Sequence, residues 1–422
     1  MKKLVTNAYI LDMASDEPDI MHKDILIDGN RIVKIDNNIQ DEYDEIIDAG
    51  GNIVMPGLIN GHTHLAMNIF RNYLYDNKLI NWLEDAIYPV EEKLDQDSIF
   101  WNSCISCIEM IKSGTTTCND MYFGMNKTVE AIEKVGLRAN VAWGMKNDSQ
   151  IDKFDKTREY ALRYNYPGSR INVLVSADST YNCDVEMLKA CKDLAQELHT
   201  GIHIHLPETL IEERKVKRLY NKSSVELLDS INAFEVPFVI ANGLYLCDKD
   251  IEILKKMKGG IIHNPISNCK LSQDICDITK LKQNGINVGL GTDGIGRTRT
   301  LDLFEEMKMA SYLQKIKTKN QKPIEPYEIL KMATIDGAKV IGKSEEIGSI
   351  EVGKKADLIF IDSRKIHDAT INNICSYILY TINGSDVDTA IIDGEVILRN
   401  KMIMSFDEEE ARRNAISVID RV

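Results

Sequence analysis

Residues 54–64 of the sequence read Val54-Met55-Pro56-Gly57-Leu58-Ile59-Asn60-Gly61-His62-Thr63-His64, an apolar stretch that ends in two histidines. The apolar run begins at Ile53 and is typical of a strand that is buried in a sheet. In an extended chain, residues i and i+2 point to the same side of the strand. We therefore expect His62 and His64 to lie side by side at the C-terminal end of a buried strand, where both imidazoles can bind one cation.

Further apolar runs follow this one, and segments with helical periodicity lie between most of them or follow the last. The runs are rich in Val, Ile and Thr and comprise Thr115–Cys118, Ala139–Trp143, Ile171–Ser176, Gly201–Leu206, Phe238–Ala241, Gly260–His263 and Ile286–Leu290. The helical segments include Val129–Val135, Val185–Leu198, Ile251–Met257 and Asp302–Ile316. This alternation predicts βα units with a parallel sheet. Counting the first run, the eight strands fit an α/β fold of the (β/α)8 TIM-barrel type.

Both ends of the chain have β character instead. Near the N-terminus, candidate strands are Lys2–Leu11, Ile25–Ile27 and Arg31–Ile35, and Asp28-Gly29-Asn30 is a hairpin signal between the last two. Near the C-terminus they are Ile347–Val352, Asp357–Ile361 and Thr389–Leu398, with turns at Gly353 and Asp393-Gly394. We predict that segments 1–52 and 346–422 together form a small β-sandwich domain beside a barrel of residues 53–345.

Composition and charge exclude several classes of protein. The 422 residues include 51 Lys and Arg against 65 Asp and Glu, a net charge of −14, whereas a nucleic-acid partner requires a basic surface. No apolar run reaches the roughly 18 residues of a membrane span, and the first residues lack the apolar segment of a signal peptide. The nine scattered cysteines predict reduced thiols and a cytoplasmic location. Cys104 and Cys107 lie in a helical pattern, so we interpret this CxxC as a buried helix face.

Two further strand ends carry side chains that can bind a metal. His205 ends the fifth run, and Asp293 follows the eighth in Gly291-Thr292-Asp293-Gly294. An isolated His-x-His pair is as compatible with two strand-end histidines that bind nothing as with a metal site. Barrel active sites, however, lie at the C-terminal ends of the strands. Convergence there favours a site in which His62, His64, His205 and Asp293 bind one divalent ion and leave a position for water.

Motifs along nearly the whole chain carry a resemblance to a known superfamily. They are residues 55–64, Trp82-Leu83, Pro89-Val90-Glu91, Gly114-Thr115-Thr116-Thr117, His205-Leu206-Pro207-Glu208-Thr209, His263-Asn264-Pro265, Ser267-Asn268, Lys270-Leu271, Gly291-Thr292-Asp293-Gly294, Phe304-Glu305-Glu306-Met307, Ile347-Gly348-Ser349-Ile350 and Gly353-Lys354-Lys355-Ala356-Asp357-Leu358. With these motifs the chain resembles the amidohydrolase superfamily, and within it the 5-methylthioadenosine/S-adenosylhomocysteine deaminases, which are neighbours of the triazine hydrolases and guanine deaminases.

The resemblance implies a role for each matching residue. His62, His64, His205 and Asp293 would bind one metal, usually zinc, with Fe²⁺ or Mn²⁺ as alternatives. Glu208 matches the proton shuttle, and Glu91 matches a carboxylate that binds the ribose hydroxyls of a nucleoside. Such a metal lowers the pKa of a bound water to about 7. Asp293 can then accept the proton of the water, and Glu208 can pass a proton to a ring nitrogen and to the leaving amine. For Glu208 alone, the alternative is a solvated acid in the first turn of a helix.

Three segments depart from the pattern of the family. Asn242 stands where strand six of the family carries a histidine that holds the attacking water. We predict that Asn242 holds this water by hydrogen bonding alone, because asparagine cannot become a cation or exchange protons near neutral pH. Asp178 stands where a histidine contacts the base, and an ionised Asp favours a substrate edge that presents N–H groups. Arg297 and Arg299 replace small residues and Asn after Asp293. They could favour an anionic substrate, or they could be two solvated loop arginines.

The other histidines and three side chains after the first barrel strand are assigned to the core, the surface or the pocket. We interpret His203 as a packed, hydrogen-bonded core histidine, and we leave His263 open between a structural role and a contact with the substrate edge. The remaining histidines are predicted at the surface: His22, His199 and His367. The segment after the first barrel strand offers three side chains for a pocket, with helix-face packing as the alternative: Met67, Trp82 and Tyr88.

These observations predict a cytoplasmic zinc-dependent deaminase that converts S-adenosylhomocysteine, 5′-methylthioadenosine or adenosine to the inosine product and ammonia. We expect a single metal ion, because Ser176-Ala177-Asp178 has no lysine to bridge a second. The alternative is an amidohydrolase that acts on guanine or another aminopurine, a pterin or a triazine. A third hypothesis is a non-catalytic homologue that binds a nucleoside or a metal. The expected partners are a small-molecule substrate and further copies of the chain in a dimer or tetramer, with neither nucleic acid nor membrane.

Overall fold

A parallel barrel sheet occupies the middle of the chain. The computed structural model describes residues 1–72, 87–147, 151–363, 372–419 and 421. Within these ranges eight parallel strands are hydrogen-bonded in chain order. They are β6 (Leu58–Thr63), β7 (Thr115–Tyr122), β8 (Arg138–Trp143), β9 (Ile171–Ser179), β10 (Ile202–Leu206), β11 (Phe238–Asn242), β12 (Gly259–His263) and β13 (Val288–Leu290). The predicted α/β barrel is confirmed.

Side-chain hydrogen bonds join the last strand of the barrel to the first. Asn60 on β6 accepts a hydrogen bond from the backbone N–H of Thr292, at 3.0 Å, and donates one to Thr292 Oγ1, at 2.8 Å. The backbone N–H of Asp293 donates to the carbonyl of His62, at 3.0 Å. Because Asn60 and His62 lie two residues apart on one strand, they face the same side. The contacts that close the barrel therefore also bring Asp293 beside His62.

Helices follow most barrel strands and continue to the C-terminus. In chain order the α-helices are α1 (Tyr88–Glu91), α2 (Gln96–Lys112), α3 (Met125–Val135), α4 (Ile151–Tyr164), α5 (Val185–Glu197), α6 (Leu210–Tyr220), α7 (Ser224–Ser230), α8 (Asp248–Leu254), α9 (Pro265–Lys270), α10 (Ile278–Gln283), α11 (Ile295–Thr298), α12 (Leu303–Thr318), α13 (Pro326–Met332), α14 (Ile335–Val340), α15 (Ile374–Tyr380) and α16 (Glu408–Ile419). Short 3₁₀ helices span Leu65–Phe70, Ala233–Glu235 and Gly384–Asp386. Cys104 and Cys107 lie buried on α2, as predicted.

The two ends of the chain combine into one mixed sheet, as expected. Its strands are β1 (Lys2–Leu11), β2 (Ile20–Asp28), β3 (Arg31–Asp36), β4 (Glu45–Asp48), β5 (Ile53–Pro56), β14 (Leu358–Ile361), β15 (Val387–Ile392), β16 (Glu395–Arg399) and β17 (Met402–Ile403). The order is β17-β16-β15-β14-β5-β1-β2-β3, and β4 pairs with β1. The predicted hairpin joins β2 to β3, with Gly29 at φ 58°. The division at residues 52 and 345 stays a prediction.

Two strand predictions differ from the structure. The run Ile53–Ile59 is not one strand but two, because β5 pairs in the mixed sheet and β6 in the barrel. Gly57 lies between them, where a Cβ atom would come within 2.0 Å of Thr116 Oγ1. The segment Ile347–Val352 forms no strand, because Gly348 has a φ of 93° that interrupts an extended backbone. Its apolar residues Ile347 and Ile350 are buried all the same.

Within the described ranges, none of the helices combines the length and the apolar character that crossing a membrane requires.

Candidate functional site

Three histidines converge at the C-terminal end of the barrel. His62 and His64 come from β6 and the residue after it, and His205 comes from β10. One ring nitrogen of each lies within 4.8 Å of the others. Asp293, three residues beyond β13, places Oδ1 at 3.5 Å from His62 Nε2 and 3.4 Å from His64 Nε2. The structure thus brings together the four side chains that the sequence predicts as metal ligands.

The Nδ1 atoms of the three histidines point away from this centre and are hydrogen-bonded. His64 Nδ1 contacts the carbonyl of Met121, and His205 Nδ1 lies 2.7 Å from the carbonyl of Asp178. His62 Nδ1 lies 2.9 Å from His203 Nε2. Because a carbonyl can only accept, His64 and His205 each carry the proton on Nδ1 and direct the lone pair of Nε2 inward.

The carboxylate of Asp293 is buried and held by several donors. The backbone N–H of Gly294 donates to Oδ1, at 2.6 Å, and Ser267 Oγ donates to Oδ2, at 2.7 Å. Burial alone would raise the pKa of Asp293, but the guanidinium of Arg297 and the neighbouring histidines hold it well below its usual range. Asp293 is therefore an anion in a fixed orientation.

These residues fit a divalent metal. His62 Nε2 is completely buried, and no described residue forms a hydrogen bond with it. A buried polar atom of this kind normally has a partner. Three imidazole nitrogens and one carboxylate oxygen are a donor set that zinc commonly takes, with a position left for water. The unpartnered nitrogen of His62 faces the place where such an ion would bind.

Arg297 links the ligand cluster to Glu208. This arginine is buried on α11, and its Nη1 donates to Glu208 Oε1 and, at 3.1 Å, to Asp293 Oδ2. Arg299 is exposed, and its carbonyl accepts a hydrogen bond from Arg71, at 2.8 Å. The sequence gives the same two alternatives for both arginines, but the structure places them in different surroundings. Arg297 faces the site, whereas Arg299 belongs to the surface loop.

A cavity of about 670 Å³ opens in front of the cluster, and three of the predicted substrate-binding acids line it, Glu91, Asp178 and Glu208, whereas Asp293 does not. Tyr122 at the end of β7 donates a hydrogen bond to Glu91 on α1. Burial raises the pKa of Glu91. Burial would also raise the pKa of Asp178, but the cation of Lys146 lowers it on balance. Asp178 also accepts a hydrogen bond from Asn182 Nδ2, at 2.6 Å.

A second acid stands behind Glu208. Glu212 on α6 accepts a hydrogen bond from the backbone N–H of Glu208 and another from Thr180 Oγ1, both at 2.8 Å. Burial raises the pKa of Glu212 to about 8. Thr209 caps α6 by accepting from the N–H of Glu212, at 3.1 Å. The start of this helix therefore fixes the backbone from which the Glu208 side chain extends.

Asn242 is placed differently from the substrate-binding acids. It is completely buried at the end of β11, and its Oδ1 accepts a hydrogen bond from Asn264 Nδ2, at 3.0 Å. The described residues that line the cavity do not include it. His263 is also buried outside the cavity lining, and burial lowers its pKa to about 3. This placement favours a structural role for His263, while a role for Asn242 stays a prediction.

The structure also places the remaining predicted residues. Met67 and Tyr88 line the cavity, and His203 is a buried, hydrogen-bonded histidine as expected. Trp82 and His367 lie outside the described residues, whereas His22 and His199 are exposed. Sequence reasoning missed three functional candidates that line the cavity: Tyr122, Lys146 and Glu212. A usable signal was the position of Tyr122 and Lys146 at or just after the ends of β7 and β8.

Comparison with known proteins agrees with this geometry. The model of the amidohydrolase family matches residues 53–397. The chain is 41% identical, over 98% of its length and 97% of the relative, to the 5-methylthioadenosine/S-adenosylhomocysteine deaminase of Thermoanaerobacter pseudethanolicus. It is 38% identical to the 5′-deoxyadenosine deaminase of Methanosarcina acetivorans, over 99% and 98% of the two chains. These matches confirm the resemblance that the motifs indicate.

A solved structure shares the fold. It is an adenosine deaminase from Xanthomonas campestris with bound zinc, with a TM-score of 0.94 and 24% identity over 99% of this chain and 98% of the other. Structural similarity at this level of sequence identity supports the assignment of the fold to this chain. The family match covers well over half of the chain, and the two relatives extend over nearly all of it. The chain therefore belongs to the amidohydrolase family.

Proposed function

We propose that the protein is a metal-dependent hydrolytic deaminase of an adenosine-type nucleoside. The reaction replaces the amino group at C6 of the purine with an oxygen from water and releases ammonia. The observation that carries this proposal is the convergence of His62, His64, His205 and Asp293 beside Glu208 at one cavity. The activities for which the two relatives are named support the choice of an adenosine-type nucleoside.

We propose one zinc ion as the metal, held by the three Nε2 atoms and the carboxylate of Asp293. Fe²⁺ and Mn²⁺ are the alternatives for the same donor set. When bound by these residues, the metal would lower the pKa of a water to about 7 and would so supply the nucleophile at neutral pH.

The protein side chains then move protons. Asp293 lies at the cluster and accepts the proton of the attacking water. Glu208 extends toward the cavity and delivers protons to the ring nitrogen and then to the leaving amine, as a glutamate outside the ligand set does in zinc deaminases. Arg297 hydrogen-bonds to both carboxylates and keeps them adjacent. This contact orients Glu208 toward the same reaction centre that Asp293 faces.

The other side of the cavity suits the sugar and the base edge. The Glu91 carboxylate, oriented by Tyr122, can accept hydrogen bonds from two ribose hydroxyls. Asp178, whose pKa the charge of Lys146 lowers, can accept a hydrogen bond from an N–H group or an exocyclic amine. Glu91 lies within the cavity lining together with Glu208. A nucleoside can therefore contact Glu91 through its sugar and Glu208 through its base, whereas a free base has no hydroxyl groups for Glu91.

The metal requirement gives the test of this proposal. The purified protein should contain about one zinc per chain by elemental analysis and release ammonia from an adenosine-type nucleoside. Removal of the metal with a chelator should abolish ammonia release, and added zinc should restore it. Two ions per chain, or no zinc after supplementation, would overturn the assignment of the metal site. Full activity in the metal-free protein would overturn the mechanism.

We also propose a cytoplasmic location and a homo-oligomer, either a dimer or a tetramer. All nine cysteines carry free thiols, which suits a reducing compartment. Light scattering coupled to size-exclusion chromatography measures the oligomeric state directly.

A further inference from the structure

Two buried residues behind the ligand cluster form a chain of contacts with His62. His62 Nδ1 lies 2.9 Å from His203 Nε2 on β10, and His203 Nδ1 lies 2.9 Å from the amide nitrogen Nδ2 of Asn119 on β7. Both Asn119 and His203 are completely buried. The described residues that line the cavity include neither of them, so they act on the site through His62.

The chain of contacts has one arrangement of protons that permits metal binding. A neutral imidazole carries one N–H and one lone pair. If His62 binds a metal through Nε2, its Nδ1 carries the proton and donates to His203 Nε2. His203 then carries its own proton on Nδ1, which requires an acceptor. The oxygen of the Asn119 amide is the acceptor within reach, provided that this end of the amide faces His203.

The opposite orientation of the amide reverses every step. With the nitrogen of Asn119 toward His203, His203 donates from Nε2 to His62 Nδ1, and the proton of His62 moves to Nε2. That proton then occupies the direction in which the metal should bind. The structure places the amide in this orientation, and the oxygen of Asn119 is then buried and receives no hydrogen bond from any described residue. The two ends of an amide have almost the same shape, so hydrogen bonding decides between the orientations.

His62 differs in this respect from the other two histidine ligands. The Nδ1 atoms of His64 and His205 face backbone carbonyls, which can only accept. Their tautomers are therefore fixed by the main chain. The tautomer of His62 depends on side chains, because its partner His203 can either donate or accept. A cationic His203, which would donate from both nitrogens, is excluded in a site that holds three further imidazoles and a divalent ion.

We propose that the oxygen of Asn119 faces His203, opposite to the orientation in the structure, and that Asn119, acting through His203, is a positioning residue that fixes the tautomer of His62 and directs its Nε2 lone pair to the metal. Hydrogen bonds of this type behind a ligand typically change metal affinity by about 10- to 100-fold. The inference rests on the proposed metal site. It goes beyond that site because it assigns a function to two residues that bind neither metal nor substrate.

The test compares zinc affinity in three variants of the full-length protein, measured by competition with a chromogenic chelator. Asn119→Leu removes the acceptor at similar volume and should weaken zinc binding by about 10- to 100-fold. Asn119→Asp retains an acceptor and should bind zinc about as tightly as the wild type. Thr117→Val is the matched control, because Thr117 is buried two residues earlier on β7 and its Oγ1 has no hydrogen-bond partner among the described residues.

The tautomer itself is the second readout. Nitrogen-15 NMR of labelled histidine in the metal-free wild type, with His62 assigned by its loss in His62→Gln, should show the His62 proton on Nδ1. In Asn119→Leu the signal should move toward the Nε2-protonated form, and in Asn119→Asp it should not. A wild-type His62 protonated on Nε2 overturns the inference even if Asn119→Leu fails to fold. Equal zinc affinity in Asn119→Leu and the wild type overturns it too. A wild type that binds no zinc would instead overturn the proposed metal site.

Discussion

Glu208 lies beside Arg297 rather than among the three histidines, so its contribution can be separated from metal binding. We predict that Glu208→Gln lowers kcat by about 10²–10⁴-fold, which is the usual contribution of a positioned acid–base group. The amide keeps the shape and most hydrogen bonds of the carboxylate but cannot carry a proton. Steady-state kinetics and elemental analysis of the same preparation check this prediction.

The zinc content of Glu208→Gln should equal that of the wild type. His205→Ala serves as the contrast, because loss of a ligand should remove both metal and turnover. If Glu208→Gln keeps turnover close to the wild type, another group moves the proton and the mechanism proposed here is wrong.

At the same scale, the sequence predicts which histidines lie at the ends of strands. It does not predict the orientation of Arg297 or the contact between His203 and Asn119. The spacing of His62 and His64, and the position of His205 at a strand end, follow from the period of an extended chain. The direction of Arg297 does not follow from any period, because it depends on the turn that leads from Asp293 into α11. The contact of His203 with Asn119 joins β10 to β7, and no local pattern reports a pairing between distant strands.

At the scale of elements, the first turn of α6 gives a pH-dependent prediction. Burial raises the pKa of Glu212 to about 8 from 4.5. The folded state therefore favours the protonated acid, and the stability that this supplies is present at low pH and lost as the pH rises through about 8. Between pH 7 and 9.5 the loss should be about 1.4 kcal/mol.

Glu212→Gln removes this titration and is the variant to compare. Urea unfolding at pH 7 and pH 9.5 should show a smaller loss of stability in Glu212→Gln than in the wild type, by about the same 1.4 kcal/mol. An equal loss in both proteins would mean that Glu212 titrates at its ordinary pKa in the folded state.

A buried ion-pair network joins the barrel to the mixed sheet. Arg138 at the start of β8 donates to both carboxylate oxygens of Asp357, at 2.6 and 3.0 Å, and to Asp393, at 2.9 Å. Arg138→Met leaves the two acids without this partner and should lower the free energy of unfolding by about 3–5 kcal/mol. The matched control is Arg170→Met, because Arg170 is partly exposed and pairs with Asp393 at 3.7 Å and Glu395 at 3.0 Å.

Arg170→Met should change stability by about 1 kcal/mol or less, as a solvent-exposed pair does. Denaturant unfolding with both variants in one buffer measures the difference. A loss in Arg138→Met no larger than that in Arg170→Met would contradict a structural role for the buried network.

The elements also show where sequence patterns stop being informative. Alternation of apolar runs and helices predicts the barrel, because each run is buried between neighbouring strands. The same continuous run, however, does not reveal that residues 53–56 pair in the other sheet. Both strands are buried on each side, so their composition is alike. Only the close packing at Gly57 marks the change, and it depends on Thr116, a residue far along the chain.

At the scale of the whole molecule, the two ends of the chain meet in one sheet, and the barrel between them carries the site. β5 continues almost directly into β6, so the mixed sheet leads into the strand that ends in His62. The cavity opens at the end of the barrel where Glu91, Asp178 and Glu208 meet. This arrangement provides contacts for a sugar and a base at once, which makes the choice between nucleoside and free base the central question.

The most direct measurement is kcat/KM for adenosine, 5′-methylthioadenosine and S-adenosylhomocysteine beside adenine, guanine and a pterin, in the wild type and in Glu91→Ala. We predict that nucleosides are the better substrates of the wild type. Loss of a charged hydrogen bond of about 1.5–3 kcal/mol should lower kcat/KM for nucleosides by about 10- to 150-fold in Glu91→Ala and leave the free bases unchanged. Higher kcat/KM for free bases, with no effect of Glu91→Ala, would contradict the assignment of a nucleoside substrate.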